Sequence, residues 1–329
     1  DGPSYTAVGG SVGAAFWRLE RVRRPADTML LKHIGTLMPP QDGLSKVTAI
    51  CWSANNKRLA VVTVDRIVRL YDEKAEQKDK FSTKPAEAKG PKNYVVSAME
   101  FSPDSSKRAI AQSDNIVFVY KLGLEWGDKK SICNKFLQSS PITCMTWPIS
   151  RPNEIVYGLA EGKVKVGQLR SNKPATLYST DSYVAAVTSS IDGQGVVSAH
   201  LDGSIHRLFF HQAGAGIVDT KIVHHPCVPY ALAWGHSIVV AGNDQQVIFY
   251  TDAGAVERTF DYSGAVKEKD GAEKDKAIKC KEFTCAVSNP TGESIVVGNY
   301  DSFYTYSFNH RLETWEEIGI KQIENLYTI

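Results

Sequence analysis

The sequence predicts an all-β fold, a β-propeller, on three observations. Three short apolar runs separated by polar turns recur as a group six times along the chain. Each group has an acidic residue between its second and third runs, at a mean interval of about 47 residues. The runs are rich in Val, Ile and aromatic residues and are bounded by Gly, Asn, Asp and Ser, as strands are. A repeat of about 40–45 residues with four strands is typical of one propeller blade.

The copies follow one another with the same internal order. The first begins with the run VTAICW at Val47, continues with LAVV at Leu59, turns at Asp65 and ends with IVRLY at Ile67. Longer segments between copies, at 73–95, 121–141 and 262–282, are interpreted as insertions. The six copies span 47–72, 96–120, 142–166, 184–209, 230–250 and 283–306.

A small antiparallel sheet cannot bury both of its faces, so each blade must stack on the next, and radial closure protects the edges. An acidic side chain can accept hydrogen bonds from backbone N–H groups in the tight turn between the second and third strands. Six acids in one ring is also a poor pattern for catalysis, which needs one or two carboxylates in distinct environments. We therefore interpret five turn acids as structural: Asp65, Asp114, Asp202, Asp244 and Asp301.

The ends of the chain suggest an incomplete seventh blade. The segment from Leu31 to Leu37 precedes the first copy and resembles an outer strand without a blade of its own, so we expect it to close the last blade. The C-terminal run 325–329 resembles the approach to a further repeat. We expect residues 1–28 to be a disordered or extraneous extension, and residues 29–329 to be one propeller truncated near the start of blade seven.

Composition excludes several function classes. Hydrophobic residues are 43% and charged residues 22%, which is typical of a globular chain, and no apolar run approaches the length of a membrane-spanning helix. A net charge of +2 gives no electrostatic reason to expect nucleic-acid binding. No phosphate-binding loop, nucleophile motif or metal-ligand spacing is complete, so we predict neither a cofactor nor an enzyme.

Histidines and cysteines near two turns have the residue types of a zinc site. His224 and His225 precede Cys227, but adjacent side chains on an extended chain point to opposite faces and make a poor chelating pair. A loop or edge role is therefore favoured for this group. His200 precedes the turn of Asp202 and is interpreted as a hydrogen-bonded structural histidine.

Charged insertions offer a surface for a partner. Lysines alternate with acids in the segments after the first and fifth copies, which favours a solvated loop, while the sharper alternative is a basic rim that meets an acidic partner or an anionic membrane. The candidate rim residues are Lys74, Lys78, Lys80, Lys84, Lys267, Lys269, Lys274 and Lys276.

Several idiosyncratic blocks carry a family resemblance. The segments 79–85 (DKFSTKP), 126–136 (WGDKKSICNKF), 230–234 (YALAW) and 259–263 (TFDYS) resemble the N-terminal WD-repeat region of the 172-kDa subunits of intraflagellar transport complex B. The resemblance extends over essentially all of 29–329 and implies a WD40-type propeller. In that family a second propeller and a helical TPR-like solenoid follow. The resemblance also implies a location in the cilium or flagellum, its basal body and the cytoplasm.

The predicted function is that of a non-catalytic scaffold. The resemblance implies a docking module for another complex B subunit, the 57-kDa subunit with a calponin-homology domain, and a role in ciliary assembly and cargo transport. One alternative is a coat-like module that contacts membranes peripherally. A further alternative is an enzyme-type propeller with a ligand in the central channel, which would need polar or metal-binding residues converging on the innermost strands.

Overall fold

The computed structural model describes residues 4–10, 13–22, 28–37, 46–87, 90, 93–210, 217–264 and 282–322. Regular structure within these ranges is β-strand, without a helix, and so none of them contains a helix able to cross a membrane. The strands are β1 (Ser4–Gly10), β2 (Gly13–Val22), β3 (Thr28–Thr36), β4 (Val47–Trp52), β5 (Leu59–Thr63), β6 (Ile67–Tyr71), β7 (Gln77–Ser82), β8 (Val96–Phe101), β9 (Lys107–Gln112), β10 (Ile116–Lys121), β11 (Ser131–Leu137), β12 (Ile142–Thr146), β13 (Glu154–Leu159), β14 (Lys163–Gln168), β15 (Lys173–Ser179), β16 (Val184–Ser189), β17 (Gly195–His200), β18 (Ser204–Phe209), β19 (Ile217–His224), β20 (Ala231–Trp234), β21 (Ile238–Ala241), β22 (Gln246–Tyr250), β23 (Val256–Asp261), β24 (Cys285–Ser288), β25 (Ser294–Gly298), β26 (Ser302–Asn309) and β27 (Thr314–Gln322).

Six four-stranded antiparallel sheets confirm the predicted all-β propeller. Each sheet uses four consecutive strands, so each is a meander: blade one is β4–β7, blade two β8–β11, blade three β12–β15, blade four β16–β19, blade five β20–β23 and blade six β24–β27. Outer strands β7 and β11 come from segments that the sequence analysis treated as insertions, because their charged residues hid the strand pattern. Strand β23 lies just before the third such segment.

The blades are arranged side by side around their first strands. Strand β4 contacts β8, β8 contacts β12, β12 contacts β16, β16 contacts β20 and β20 contacts β24. The first strand of each blade is therefore innermost, and the fourth lies at the circumference. This order explains the burial pattern: β5 and β21 are buried at every residue, whereas β7 and β23 are mostly exposed.

The hydrophobic core lies between neighbouring blades. Between blades five and six, the ring of Phe249 lies 4.6 Å from that of Trp315 and 5.3 Å from that of Tyr306. The indole N–H of Trp315 donates to the Ser237 hydroxyl at 2.8 Å, which satisfies the one polar group of a side chain that is 1% exposed. Burial of such large rings dominates the stabilisation of one blade on the next.

A common backbone turn places the acid between the second and third strands. In five blades the residue after the acid has a positive φ, and glycine supplies it at Gly162 and Gly203, with φ of 85° and 84°. At Gly162 an added Cβ would lie 2.2 Å from the carbonyl oxygen of Thr180, so the close approach of the next loop also requires glycine. In the other three blades the residue with a positive φ after the acid is not glycine; these residues are Arg66, Asn115 and Gln245.

The N-terminal segment forms a seventh sheet of three strands. Strand β3 covers most of the predicted closing strand and pairs with β2, from Thr36 opposite Ala15 to Thr28 opposite Val22, and β2 pairs with β1. Strand β1 contacts β4 of blade one. Residues 4–10 and 13–22, which the sequence analysis assigned to a disordered or extraneous extension, form strands β1 and β2. The run 325–329 lies outside the described residues.

Candidate protein-binding surface and turn-acid sites

The first turn acid is held entirely by its own blade. The Asp65 carboxylate accepts hydrogen bonds from the Ile67 amide at 2.9 Å and the Thr63 hydroxyl at 2.5 Å, and it pairs with Arg69 at 2.6 Å. Burial by itself would raise the pKa of Asp65, but the hydrogen bonds from Arg69, Thr63 and Ile67 hold it below its usual value. Such contacts support a structural role.

Two further acids follow related patterns. Asp202 accepts from the Ser204 amide at 3.0 Å and the Ser204 hydroxyl at 2.6 Å, whereas Asp114 accepts the amide of Ala86, in the loop that enters blade two, at 2.7 Å.

Asp301 accepts the Ser302 hydroxyl at 3.0 Å. The amide two residues after the acid donates to Asp65, Asp202 and Asp244, whereas the donor to Asp114 is an amide in a neighbouring loop. The structural interpretation of the acids stays a prediction that these contacts support.

The histidine beside the blade-four turn is fully hydrogen-bonded, as predicted. His200 is buried; its Nε2 lies 2.7 Å from the Ser198 hydroxyl, and its Nδ1 lies 3.1 Å from both the Thr180 hydroxyl and the Ser182 carbonyl. The Tyr178 hydroxyl donates to Ser198 at 2.6 Å and extends the network. Burial lowers the pKa of His200, so the ring is neutral near pH 7 and serves as a structural link.

The second histidine group is assembled differently from the expectation. His225 is 1% exposed and lies with Cys227 and Asp244 in a group whose ligand atoms are all within 4.8 Å of one another. Adjacent histidines do not chelate together, as the sequence argument held: His224 is exposed and its Nδ1 lies 3.1 Å from Lys221 Nζ. What that argument missed is the turn acid Asp244, which only the fold brings to the other two.

The candidate lysines are distributed over the whole height of blade one. Lys78 pairs with Asp72 at 3.3 Å and with Glu76 at 2.5 Å, so its charge is largely compensated. One lysine lies in the turn before β7, two on β7 and one after it, all exposed: Lys74, Lys78, Lys80 and Lys84. The other four lie outside the described residues: Lys267, Lys269, Lys274 and Lys276.

The innermost strands carry little that could act on a ligand. Across β4, β8, β12, β16, β20 and β24 the only charged residue is Glu100. Glu100 is half-buried, and burial raises its pKa to about 8. Cys51 on β4 interacts electrostatically with Glu100, but burial raises the pKa of the Cys51 thiol to about 12, so this thiol is protonated near pH 7.

A polar depression lies where the turns of blade three meet blade four. It encloses about 440 Å³ and is lined by residues that include Ser150, Asn153 and Gln194. Its Arg151 pairs with Glu154 at 2.5 Å and also covers the Phe210 ring, so these charged groups are engaged within the protein.

One face of the ring exposes apolar and aromatic side chains at equivalent positions. Chain segments just before the innermost strands meet the turns between second and third strands there; for example, the Leu201 amide donates to the Tyr183 carbonyl at 3.0 Å. Burial, together with the neighbouring Cys144 and Tyr230, raises the pKa of Tyr183. We name this surface the turn face; its exposed members are Val64, Val95, Tyr183, Leu201, Tyr230 and Tyr300.

Sequence reasoning missed the turn face. Its signal was present, because an apolar or aromatic residue stands directly before the second and fourth copies, at Val95 and Tyr183, and Tyr230 is the first residue of the fifth copy. Exposed aromatic side chains on a fixed backbone are the residues that most often anchor protein–protein contacts.

Comparisons with known proteins agree with the repeat architecture. Residues 32–72 match the family described as WD domain, G-beta repeat. Over 92% of its length the chain is 51% identical to intraflagellar transport protein 172 homologs of Rattus norvegicus and Homo sapiens, and 47% identical to intraflagellar transport protein 172 of Chlamydomonas reinhardtii. The chain spans only 16% of the length of the two mammalian proteins and 17% of the algal one.

Proposed function

The chain is a homologue of the intraflagellar transport 172 proteins, and from that premise we propose that it is a non-catalytic scaffold that docks another subunit of intraflagellar transport complex B. Homology to intraflagellar transport proteins implies a location in the cilium or flagellum. Ciliary assembly and cargo transport are part of the same proposal. They concern the longer relatives, of which this chain matches about one sixth.

The turn face is the observation that carries the docking proposal. Tyr183, Tyr230 and Tyr300 are 39%, 41% and 52% exposed although each is a large, partly apolar side chain. A cluster of exposed aromatic and aliphatic groups on a folded surface marks an interaction site, and tyrosine binds with little loss of conformational freedom. A partner that buries this surface would remove apolar area from water without reordering the propeller.

The rigidity of the blades supports the same role. The second strands β9, β17 and β21, which end at the turn face, are buried along most of their length. The exposed side chains of the turn face are therefore attached to a fixed backbone. Preorganised surfaces lose less conformational entropy on binding than mobile loops do. The 57-kDa calponin-homology subunit is the partner that we propose to test first.

The test compares binding by the wild-type chain with binding by the double variant Tyr183→Ala/Tyr230→Ala. We expect the affinity for the partner subunit, measured by calorimetry, to fall by at least about tenfold, since truncation of a central aromatic residue often costs 2 kcal/mol or more. The matched control is Leu312→Ala/Val256→Ala, which removes side chains that are 66% and 61% exposed at the opposite end of their blades. Control affinity should be unchanged.

Two results would contradict the proposal. Equal losses in both double variants would mean that the turn face is not the docking surface. Absence of binding by a folded wild-type chain would mean that docking does not occur through this propeller. Co-sedimentation with anionic vesicles, and its loss in high salt, would instead favour a peripheral membrane contact through the exposed lysines.

A further inference from the structure

The polar depression between blades three and four lies at the end of the ring opposite the turn face. Glu154 begins β13 and Gln168 ends β14, so both lie at the far end of these strands from Glu161, which is in the turn between them. Blade four contributes Gln194, which directly precedes β17. The docking proposal for the turn face therefore leaves this surface unused.

Hydrogen bonds hold the walls of the depression in place. The Ser150 hydroxyl of blade three donates to the Gly193 carbonyl of blade four at 2.7 Å, which joins the two blades at the depression. The Leu169 amide donates to the Asn153 carbonyl at 2.8 Å. The side-chain amides of Asn153 and Gln194 have no hydrogen-bond partner among the described residues, so both are available to a ligand.

Arg170, in the turn between β14 and β15, is an uncompensated cation of the depression. It is exposed and makes no hydrogen bond or ion pair with any residue in the described ranges. Arg151 differs, because its guanidinium pairs with Glu154 and covers the Phe210 ring. Glu154 is the one carboxylate among the described lining residues and is neutralised by Arg151, so Arg170 leaves the depression with a net positive charge.

We propose that this depression binds an acidic segment of a partner protein, with a carboxylate of that segment paired to Arg170. A guanidinium has N–H donors and no acceptor, and it binds a carboxylate through two parallel hydrogen bonds. The side-chain amides of Asn153 and Gln194 each offer donors and an acceptor, as peptide bonds do. They are therefore suited to the main chain of the same segment.

The shape of the depression favours an extended peptide over a small molecule. Its volume of about 440 Å³ is in the range of ligand pockets, but the depression is open to solvent. Small-molecule sites usually enclose about 70% or more of the ligand surface, which an open depression does not do. A peptide segment can bind in an open depression, because the residues on either side of the bound carboxylate extend its contacts over the surface.

The experiment titrates a short dye-labelled peptide of alternating glutamate and serine with the 329-residue chain at low ionic strength, and fluorescence anisotropy measures the affinity. Arg170→Gln should weaken binding by at least about tenfold, because it removes a charge-assisted pair of hydrogen bonds. Arg170→Lys keeps the charge without the paired donors and should recover only part of the affinity. Asn153→Ala should weaken binding by about three- to tenfold.

The matched control is Arg311→Gln, which removes an exposed arginine from the corresponding turn of blade six, between β26 and β27. It should bind the peptide as the wild type does. A second peptide, with glutamine in place of glutamate and the same dye, should bind the wild type at least about tenfold more weakly. Tyr183→Ala/Tyr230→Ala should leave binding of the acidic peptide unchanged, so the result is independent of docking at the turn face.

Three results would overturn the proposal. Equal losses in Arg170→Gln and Arg311→Gln, or equal affinities for the two peptides, would mean that binding follows overall charge and not this depression. Absence of binding by a folded wild-type chain would mean that the depression holds no acidic segment. Binding to phosphatidylserine vesicles that Arg170→Gln abolishes, without binding of the acidic peptide, would assign the depression to a membrane surface instead.

Discussion

Replacing Glu100 by glutamine should make the propeller less sensitive to alkaline pH. Glu100 lies on the innermost strand β8, and burial raises its pKa from 4.5 to about 8. An acid whose pKa is higher in the folded state binds its proton more tightly there than in the unfolded chain. The stability that this provides is fully present below pH 4.5 and is lost as pH rises through about 8. The variant Glu100→Gln has no proton to lose and keeps the neutral shape.

The magnitude follows from the pKa difference. Each unit of difference corresponds to about 1.4 kcal/mol, so a shift from 4.5 to about 8 sets an upper limit of about 5 kcal/mol. Because Glu100 is only half-buried, solvent screens part of this energy, and we expect about 2 kcal/mol. The free energy of unfolding of the variant should therefore exceed that of the wild type by this amount at pH 8.5, and by much less at pH 5.

Urea unfolding followed by tryptophan fluorescence at a series of pH values measures the difference directly. Glu125→Gln, at an exposed glutamate, is the control and should track the wild type at every pH. A difference between Glu100→Gln and wild type that is the same at pH 5 and pH 8.5 would refute the reasoning. It would mean that Glu100 ionises at its usual pKa and that the innermost strands are well solvated.

Three further substitutions test the packing by urea unfolding at neutral pH. Arg108→Met should stabilise the chain by at least about 1 kcal/mol, because this fully buried guanidinium has no hydrogen-bond partner; an unchanged midpoint would argue that it is solvated. Gly162→Ala should cost more than about 1 kcal/mol, since the new Cβ meets the Thr180 carbonyl oxygen and φ is 85°, and a neutral effect would show that the turn relaxes. Trp315→Phe should cost about 1–3 kcal/mol by leaving the Ser237 hydroxyl without its donor and a void in the core; retention of full stability would mean that both are readily repacked.

The repeat made most of the fold predictable. Within a blade, strands pair with their neighbours in sequence, so the period of the apolar runs and the position of each turn acid predict where a blade begins and where it turns. The fourth strands escaped prediction because the circumference is exposed: β7 is charged and mostly exposed, so it lacks the apolar signal of β5.

Site residues also differ in how far the sequence predicts their contacts, and the difference is whether a contact is local. Local chemistry can be predicted from the sequence: Asp65 is bonded by residues two positions before and two and four positions after it, all within its blade. His200 combines Ser198 of its own strand with Thr180 and Ser182 in the loop that enters the blade. Contacts between separate loops cannot be predicted from the sequence, because residues far apart in the chain meet only when the blades have stacked. Asp244 is separated in the chain from His225 and Cys227 by a loop and a hairpin, and no periodic pattern in the sequence predicts that the three residues lie together.

What the sequence determined by itself was the architecture: an apolar period of about 47 residues with turn acids leaves stacked blades as the way to bury both faces of every sheet. The tertiary structure decided which side chains the stacking leaves uncovered and which it brings together. It exposed Tyr183 and Tyr230 on one face, spread the lysines over the height of blade one, and placed Asp244 beside His225. Burial and proximity arise from the stacking of the blades, so a linear pattern cannot specify them residue by residue.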